Sequence, residues 1–290
     1  MQRVTRKTLG AGINLTCVTT PKFKRAVLRA MLVLPLGGED AALRACLPQV
    51  LRRGTARLND MQAFGTALDE LYGARIEAAV RKEGENLCIG FLSDCIDEAY
   101  APGADGLTAG VIGLLCDLLY NPYLQDGLFC AAYAEGERGN LIDRIAALKN
   151  DPRSWAPRRL NEIMCENEDY GKSALGTIEQ AERITSETLY AAYRRALSEA
   201  QVELFYCGTM MPDEVEARFM ATPLAQPREG TLYQPHTVVQ ARPVGDVREV
   251  VEDAEVTQGK LSLGFRTGGA SLTGGEPAAY WVFQTIYGGS

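Results

Sequence analysis

The order of strand-like and helix-like segments predicts an α+β chain, and three observations carry that prediction. Strands and helices come in runs in the N-terminal third, as strand, strand, helix, helix, strand, strand. The middle is helical, and one strand of buried type, residues 202–207, returns after those helices.

In chain order, residues 13–19 and 26–34 are rich in β-formers and flank the polar stretch Pro21-Lys22-Phe23-Lys24-Arg25, so they suit an antiparallel pair. Glu39-Asp40 after Gly37-Gly38 marks a helix start, and residues 41–53 carry helix formers up to Gly54. Asp60 is placed to cap a helix over 61–72 that stops at Gly73. Residues 75–81 and 86–92 alternate apolar and polar around Gly84, the pattern of a hairpin. A helix over 107–120 ends before Asn121-Pro122. A longer one over 128–150 sets Leu141, Ile142, Ile145 and Leu148 on one face before Asp151-Pro152 breaks it. Residues 154–166 and 186–197 read as amphipathic helices, and 212–220 as a helix after the strand.

From there the composition shifts. Pro223, Pro227, Pro235 and Pro243 mark 222–247 as a linker between a first domain, 1–221, and the start of a second, incomplete one, 248–290. In the latter, 259–266 reads as a strand, 267–275 as a loop and 276–287 as a helix, too little to bury a core alone.

Composition excludes several functions. The sequence holds 1 histidine, His236, in the proline-rich linker, so no two-histidine zinc site can be assembled from the chain alone. A net charge of -7 disfavours a nucleic-acid partner, which needs a basic face. No uncharged apolar run approaches the roughly 20 residues of a membrane span, and the basic start Met1–Lys7 lacks the apolar core of a signal peptide. The 8 cysteines include no Cys-x-x-Cys pair and lie mostly in apolar runs, which suits a reducing, cytoplasmic setting.

Single motifs fail on inspection. Gly10-Ala11-Gly12 precedes a strand and lacks the third glycine of a dinucleotide fingerprint, and Gly171-Lys172-Ser173 has Glu166 where a phosphate loop needs glycine. Ser271 lacks the glycine of a nucleophile elbow. Among the cysteines, Cys46 has a basic neighbourhood in sequence, Arg44, Arg52 and Arg53, although a small apolar core thiol is the favoured reading.

The order of weaker segments is more informative. Leu47-Pro48-Gln49-Val50-Leu51-Arg52-Arg53-Gly54-Thr55 resembles the end of the active-site helix of the pitrilysin/insulinase family, where an inverted zinc motif, His-x-x-Glu-His, precedes a similar apolar pair, a basic residue and Gly-Thr. In the same order follow residues 137–152, Glu168-Asp169-Tyr170-Gly171, Leu175-Gly176-Thr177, Ile184-Thr185 and residues 258–265, so the resemblance spans essentially the whole chain.

Aligned on Leu51 and Gly54-Thr55, the three motif positions are Ala45, Pro48 and Gln49, none able to bind zinc or activate water. The family's downstream pair of glutamates, seven apart, falls on Glu137 and Arg144, which puts a cation at a ligand position. Pro48 also disturbs that helix, at about 3 kcal/mol, unless a new helix begins there with the proline in its first turn. Gly288 and Gly289 fall where the resemblance places a substrate-contacting loop in non-catalytic subunits.

The resemblance implies an antiparallel or mixed sheet covered on one face by helices. It implies a non-catalytic member, most similar to bacterial ones, that binds no metal or cofactor and encloses peptide together with a zinc-binding peptidase homologue as heterodimer. A link to elongation factor P modification is a weaker implication. The alternatives are a hydrolase using Cys46 or the acidic groups Glu137 and Asp143, and a peptide-binding chamber with no peptidase partner.

Overall fold

The computed structural model describes residues 3–103, 105–225, 228, 230–236, 246–253, 257–266 and 276–288. Strands β1 (Arg3–Gly10), β2 (Ile13–Thr19) and β3 (Arg25–Pro35) lead into helices α1 (Ala41–Leu51) and α2 (Met61–Glu70), then the hairpin β4 (Arg75–Glu83) and β5 (Asn86–Ile96). Helix α3 (Leu107–Tyr120) and the short hairpin β6 (Leu124–Gln125) and β7 (Leu128–Phe129) precede α4 (Ala131–Ala147), α5 (Pro152–Met164), α6 (Ile178–Glu182) and α7 (Ser186–Glu199). Strand β8 (Gln201–Gly208), α8 (Pro212–Met220) and α9 (Glu276–Gly288) complete the described elements.

The main sheet has 6 strands in the order β1-β2-β8-β3-β5-β4. Its pairs are antiparallel except β2 with β8, which run parallel in the register Ile13↔Val202 to Thr19↔Gly208. The α+β class and the mixed, mostly antiparallel sheet are as the resemblance implies. The expected pairing of 13–19 with 26–34 is not: β8 lies between those two strands. The polar connection at 20–24 is long enough to step over one strand, since five extended residues reach roughly 16 Å and two strand spacings are about 9.6 Å. The central place goes to β8, whose buried residues Val202, Leu204 and Tyr206 need cover, while the charged β1 takes the edge.

Alternate residues of the central strands point to one face. Leu15 and Cys17, Leu28, Ala30 and Leu32, Leu87, Ile89 and Phe91, and Leu204 and Tyr206 form the core against α1, α3, α4, α7 and α8. Covering a side chain such as Leu28 contributes about 2 kcal/mol, and repetition along four strands fixes the register. The opposite face keeps only a small apolar cluster, Met31, Val33, Ala79 and Cys88, against which Leu92 and Tyr233 pack.

Helix ends follow the sequence signals. Asp60 accepts a hydrogen bond from Ala63 N at 2.7 Å, and Thr177 and Thr185 each close a capping box at the starts of α6 and α7. Pro48 lies inside an unbroken α1, so the alternative of a second helix beginning there is excluded. Residues 259–266, expected as a strand, have no sheet partner among the described residues; Leu261, Leu263 and Phe265 are exposed. Alternating apolar residues make a strand only where a neighbour accepts the ladder. The expected loop 267–275, with Ser271, lies outside the described residues.

Candidate functional site

Helices α1 and α4 pack side by side on the core and leave a cleft of about 490 Å³ between them. Ala45 and Gln49, at i and i+4 on α1, face it together with Cys46; from α4 come Glu137, Asn140, Leu141, Asp143 and Arg144. The structure therefore brings Ala45, Gln49, Glu137 and Arg144 to one place, whereas Pro48 is buried but does not line the cleft.

Two glycines of the sequence signature position these helices. A Cβ on Gly54 would meet the carbonyl oxygen of Leu58 at 2.7 Å, so only glycine lets the chain leave α1 in this tight turn. Gly176 has φ +73°, and a Cβ there would lie 2.6 Å from the amide nitrogen of Ala42, which sets α6 against the start of α1.

The electrostatics are those of a closed ion pair beside an open cation. Glu137 is 7% exposed; Oε1 accepts from Arg53 Nε at 2.6 Å and Oε2 from Asn140 Nδ2 at 3.1 Å. Arg53 also lies over the Tyr133 ring, 5.7 Å from its centroid. The side chains of Arg144, Gln49 and Asp143 have no ion pair or hydrogen bond among the described residues. The roles of Arg53 and Asn140 were not found from sequence. Asn140 is three residues from Glu137 on one helix face, a readable spacing, whereas Arg53 pairs across 84 positions with no local signal.

The Cys46 thiol is closed to nucleophilic chemistry. Burial, reinforced by the Glu137 charge and opposed by Arg144, pushes it up to about 12. The basic neighbourhood expected for it is a correction. Arg44 Nη1 donates to the carbonyl oxygens of Pro35 at 2.9 Å and Gly37 at 3.3 Å, Arg52 Nε to that of Ile76 at 2.8 Å, and Arg53 is held by Glu137. Sequence neighbours on a helix diverge, so three nearby arginines need not share a site.

Zinc does not fit this donor set. The i and i+4 positions are an alanine and a neutral amide, the buried carboxylate is already engaged by a guanidinium, the thiol stays protonated, and Arg144 adds a positive charge. Among the described residues no group of three or more His, Cys, Asp or Glu could hold a metal ion. His236 is exposed, with Nδ1 3.2 Å from the carbonyl oxygen of Gln234, and is not among the residues lining the cleft. Gly288 is the last residue of α9 and Gly289 lies outside the described residues. No helix among the described residues is long and apolar enough to cross a membrane.

Comparisons with known proteins agree with this architecture. No family model matches the chain. A curated relative, probable inactive metalloprotease YmfF of Bacillus subtilis (strain 168), is 30% identical over 284 residues, covering 98% of this chain and 66% of that protein. A conserved protein from Enterococcus faecalis V583 superposes with TM-score 0.72 at 24% identity, over 79% of this chain and 54% of that one. A peptidase M16 inactive domain from Pseudomonas fluorescens does so with TM-score 0.59 at 15% identity, over 81% and 53%. The chain thus spans just under two thirds of the curated relative and about half of these solved chains.

The fold is that of one unit of an M16-type peptidase. The chain belongs to the pitrilysin/insulinase family, and its sequence contains no His-x-x-Glu-His motif.

Proposed function

We propose that this chain is a non-catalytic subunit that forms a peptide-enclosing chamber with a zinc-binding peptidase homologue. One observation carries the reading: the two helices that frame the cleft are in place, while the cleft holds Ala45, Gln49 and a free Arg144 and the third motif position is a buried proline. This geometry supports a scaffold role, with the chemistry supplied by the partner. The relative's description as an inactive metalloprotease, and the matched solved chain described as an inactive M16 domain, support it. A cytoplasmic location is part of the proposal, since Cys46, Cys88, Cys95 and Cys116 serve as buried, unpaired core groups, which suits a reducing compartment. So are a heterodimer and, for its biological setting, the link to elongation factor P modification.

The competing reading, a hydrolase working through Cys46 or through Glu137 and Asp143, is disfavoured by the protonated thiol and by the Arg53–Glu137 pair. Isolation of the protein from its native cells tests the proposal. The expected result is co-purification of a homologue with an intact His-x-x-Glu-His motif, and peptide cleavage only when both chains are present. Cleavage by this chain alone, lost on Cys46→Ala or Glu137→Ala, overturns it.

A further inference from the structure

The cleft between α1 and α4 contains an unneutralised cation. Arg144 lies one helical turn from Asn140 and two from Glu137 on the same face of α4. Glu137 forms no ion pair with it among the described residues: its charge is matched by Arg53 at Oε1, and its Oε2 accepts from Asn140. Asp143 stands at the rim and offsets part of the charge, but it forms no ion pair with Arg144 among the described residues. Successive residues of a helix point about 100° apart and do not face each other.

The rest of the cleft suits a mixed ligand. The Gln49 side-chain amide has no partner among the described residues, the buried Ala45 and Leu141 form apolar walls, and the Cys46 thiol adds no charge. The volume, about 490 Å³, falls within the roughly 300–1,000 Å³ of small-ligand sites and accommodates an end residue of a peptide.

We propose that this cleft binds a carboxylate of a peptide, held on the Arg144 guanidinium and the Gln49 amide beside apolar Ala45 and Leu141. A guanidinium presents a fork of donors matched to the two oxygens of a carboxylate, so the position that would ligate zinc in an active relative here selects an anion. The carboxylate is either a C-terminus or an acidic side chain. The inference deepens the peptide-binding reading and rests on it for the source of the ligand; a chamber that gripped peptides elsewhere would leave this cleft idle.

Calorimetric titration of the purified chain tests it with three N-acetylated tetrapeptides. One consists of alanine and leucine with a free C-terminus, the second is its C-terminal amide, and the third is an amide with one glutamate. The free acid, the glutamate peptide or both are expected to bind about tenfold or more tighter than the neutral amide, the scale of a charge-assisted hydrogen bond. Which of them binds identifies the source of the carboxylate. Arg144→Gln should abolish the difference, Arg144→Lys should retain part of it, and Asp143→Asn should increase it. The thermal midpoint of Arg144→Gln should match the parent, because the side chain is exposed and unpaired. Equal binding of all three peptides, or unchanged selectivity in Arg144→Gln, overturns the carboxylate site while leaving peptide binding intact. Binding of none overturns both.

Discussion

Just past the end of β5, and beside the residue that follows β8, Asp97 is 1% exposed and its carboxylate is used up inside the chain. It accepts from the amides of Ala99 at 3.1 Å and Thr209 at 2.8 Å, and from the Thr209 hydroxyl, while the neighbouring Tyr206 hydroxyl accepts from Met210 N at 2.9 Å. In the α1–α4 cleft Glu137 is buried and satisfied in the same way, yet Arg144 and Gln49 beside it bond to nothing described. Buried polar groups are normally paired, so a fully closed cluster such as the Asp97 corner is structural. Donors left open beside a cavity are available to a ligand. The difference separates parts of this chain that hold the fold from the part that can meet another molecule.

The packed side of that contrast yields most to alkali. Burial pushes Cys46, Cys88, Cys95 and Cys116 up from 9.0 to about 12, and Cys17 to about 11. An unfolded thiol loses its proton first as pH rises through about 9, so the native state then binds more protons than the unfolded one and stability falls. The loss is roughly 1 kcal/mol per thiol between pH 8 and 10 and continues towards the folded values. Melting curves over this range should show a steep decline, and a flat profile would contradict the burial of these groups.

Asp97→Ala should cost about 3 kcal/mol in urea unfolding, because three hydrogen bonds disappear and two backbone amides lose an acceptor. Arg53→Ala should cost less, about 2 kcal/mol, since the arginine is partly exposed but leaves Glu137 buried without its counter-charge. Adding Glu137→Leu should restore most of that loss, and a double variant as unstable as the sum would mean that the two residues do not act as a pair. At the bottom of the scale, Arg144→Gln should leave stability unchanged to within about 0.5 kcal/mol. A larger loss would place Arg144 with the structural cluster and remove the distinction.

Much of the fold is legible because β2, β3, β5 and β8 repeat apolar residues with a period of two, and because Asp60 sits where a helix begins. Strand β1 left no such trace. Arg3, Arg6 and Lys7 form a charged edge that needs no buried face, and charge on an edge strand discourages pairing with other chains. Neighbour relations were also hidden. The insertion of β8 between β2 and β3 joins residues nearly two hundred positions apart, and local pattern carries no information about that. At the site, residue spacing along α1 and α4 placed Ala45, Gln49, Glu137 and Arg144 only through the family resemblance. The neutralisation of Glu137 by Arg53 required the folded chain, because it depends on how α1 ends at Gly54 relative to α4.

The proposed role is to shape a peptidase chamber without supplying its metal chemistry. Metal analysis of the purified chain after equilibration with zinc, combined with a peptide-cleavage assay with and without chelator, tests it most directly. No stoichiometric zinc and no cleavage by the chain alone are expected, with chelator-sensitive cleavage appearing only when a zinc-binding homologue is added. Stoichiometric zinc together with chelator-sensitive cleavage by the chain alone would contradict it.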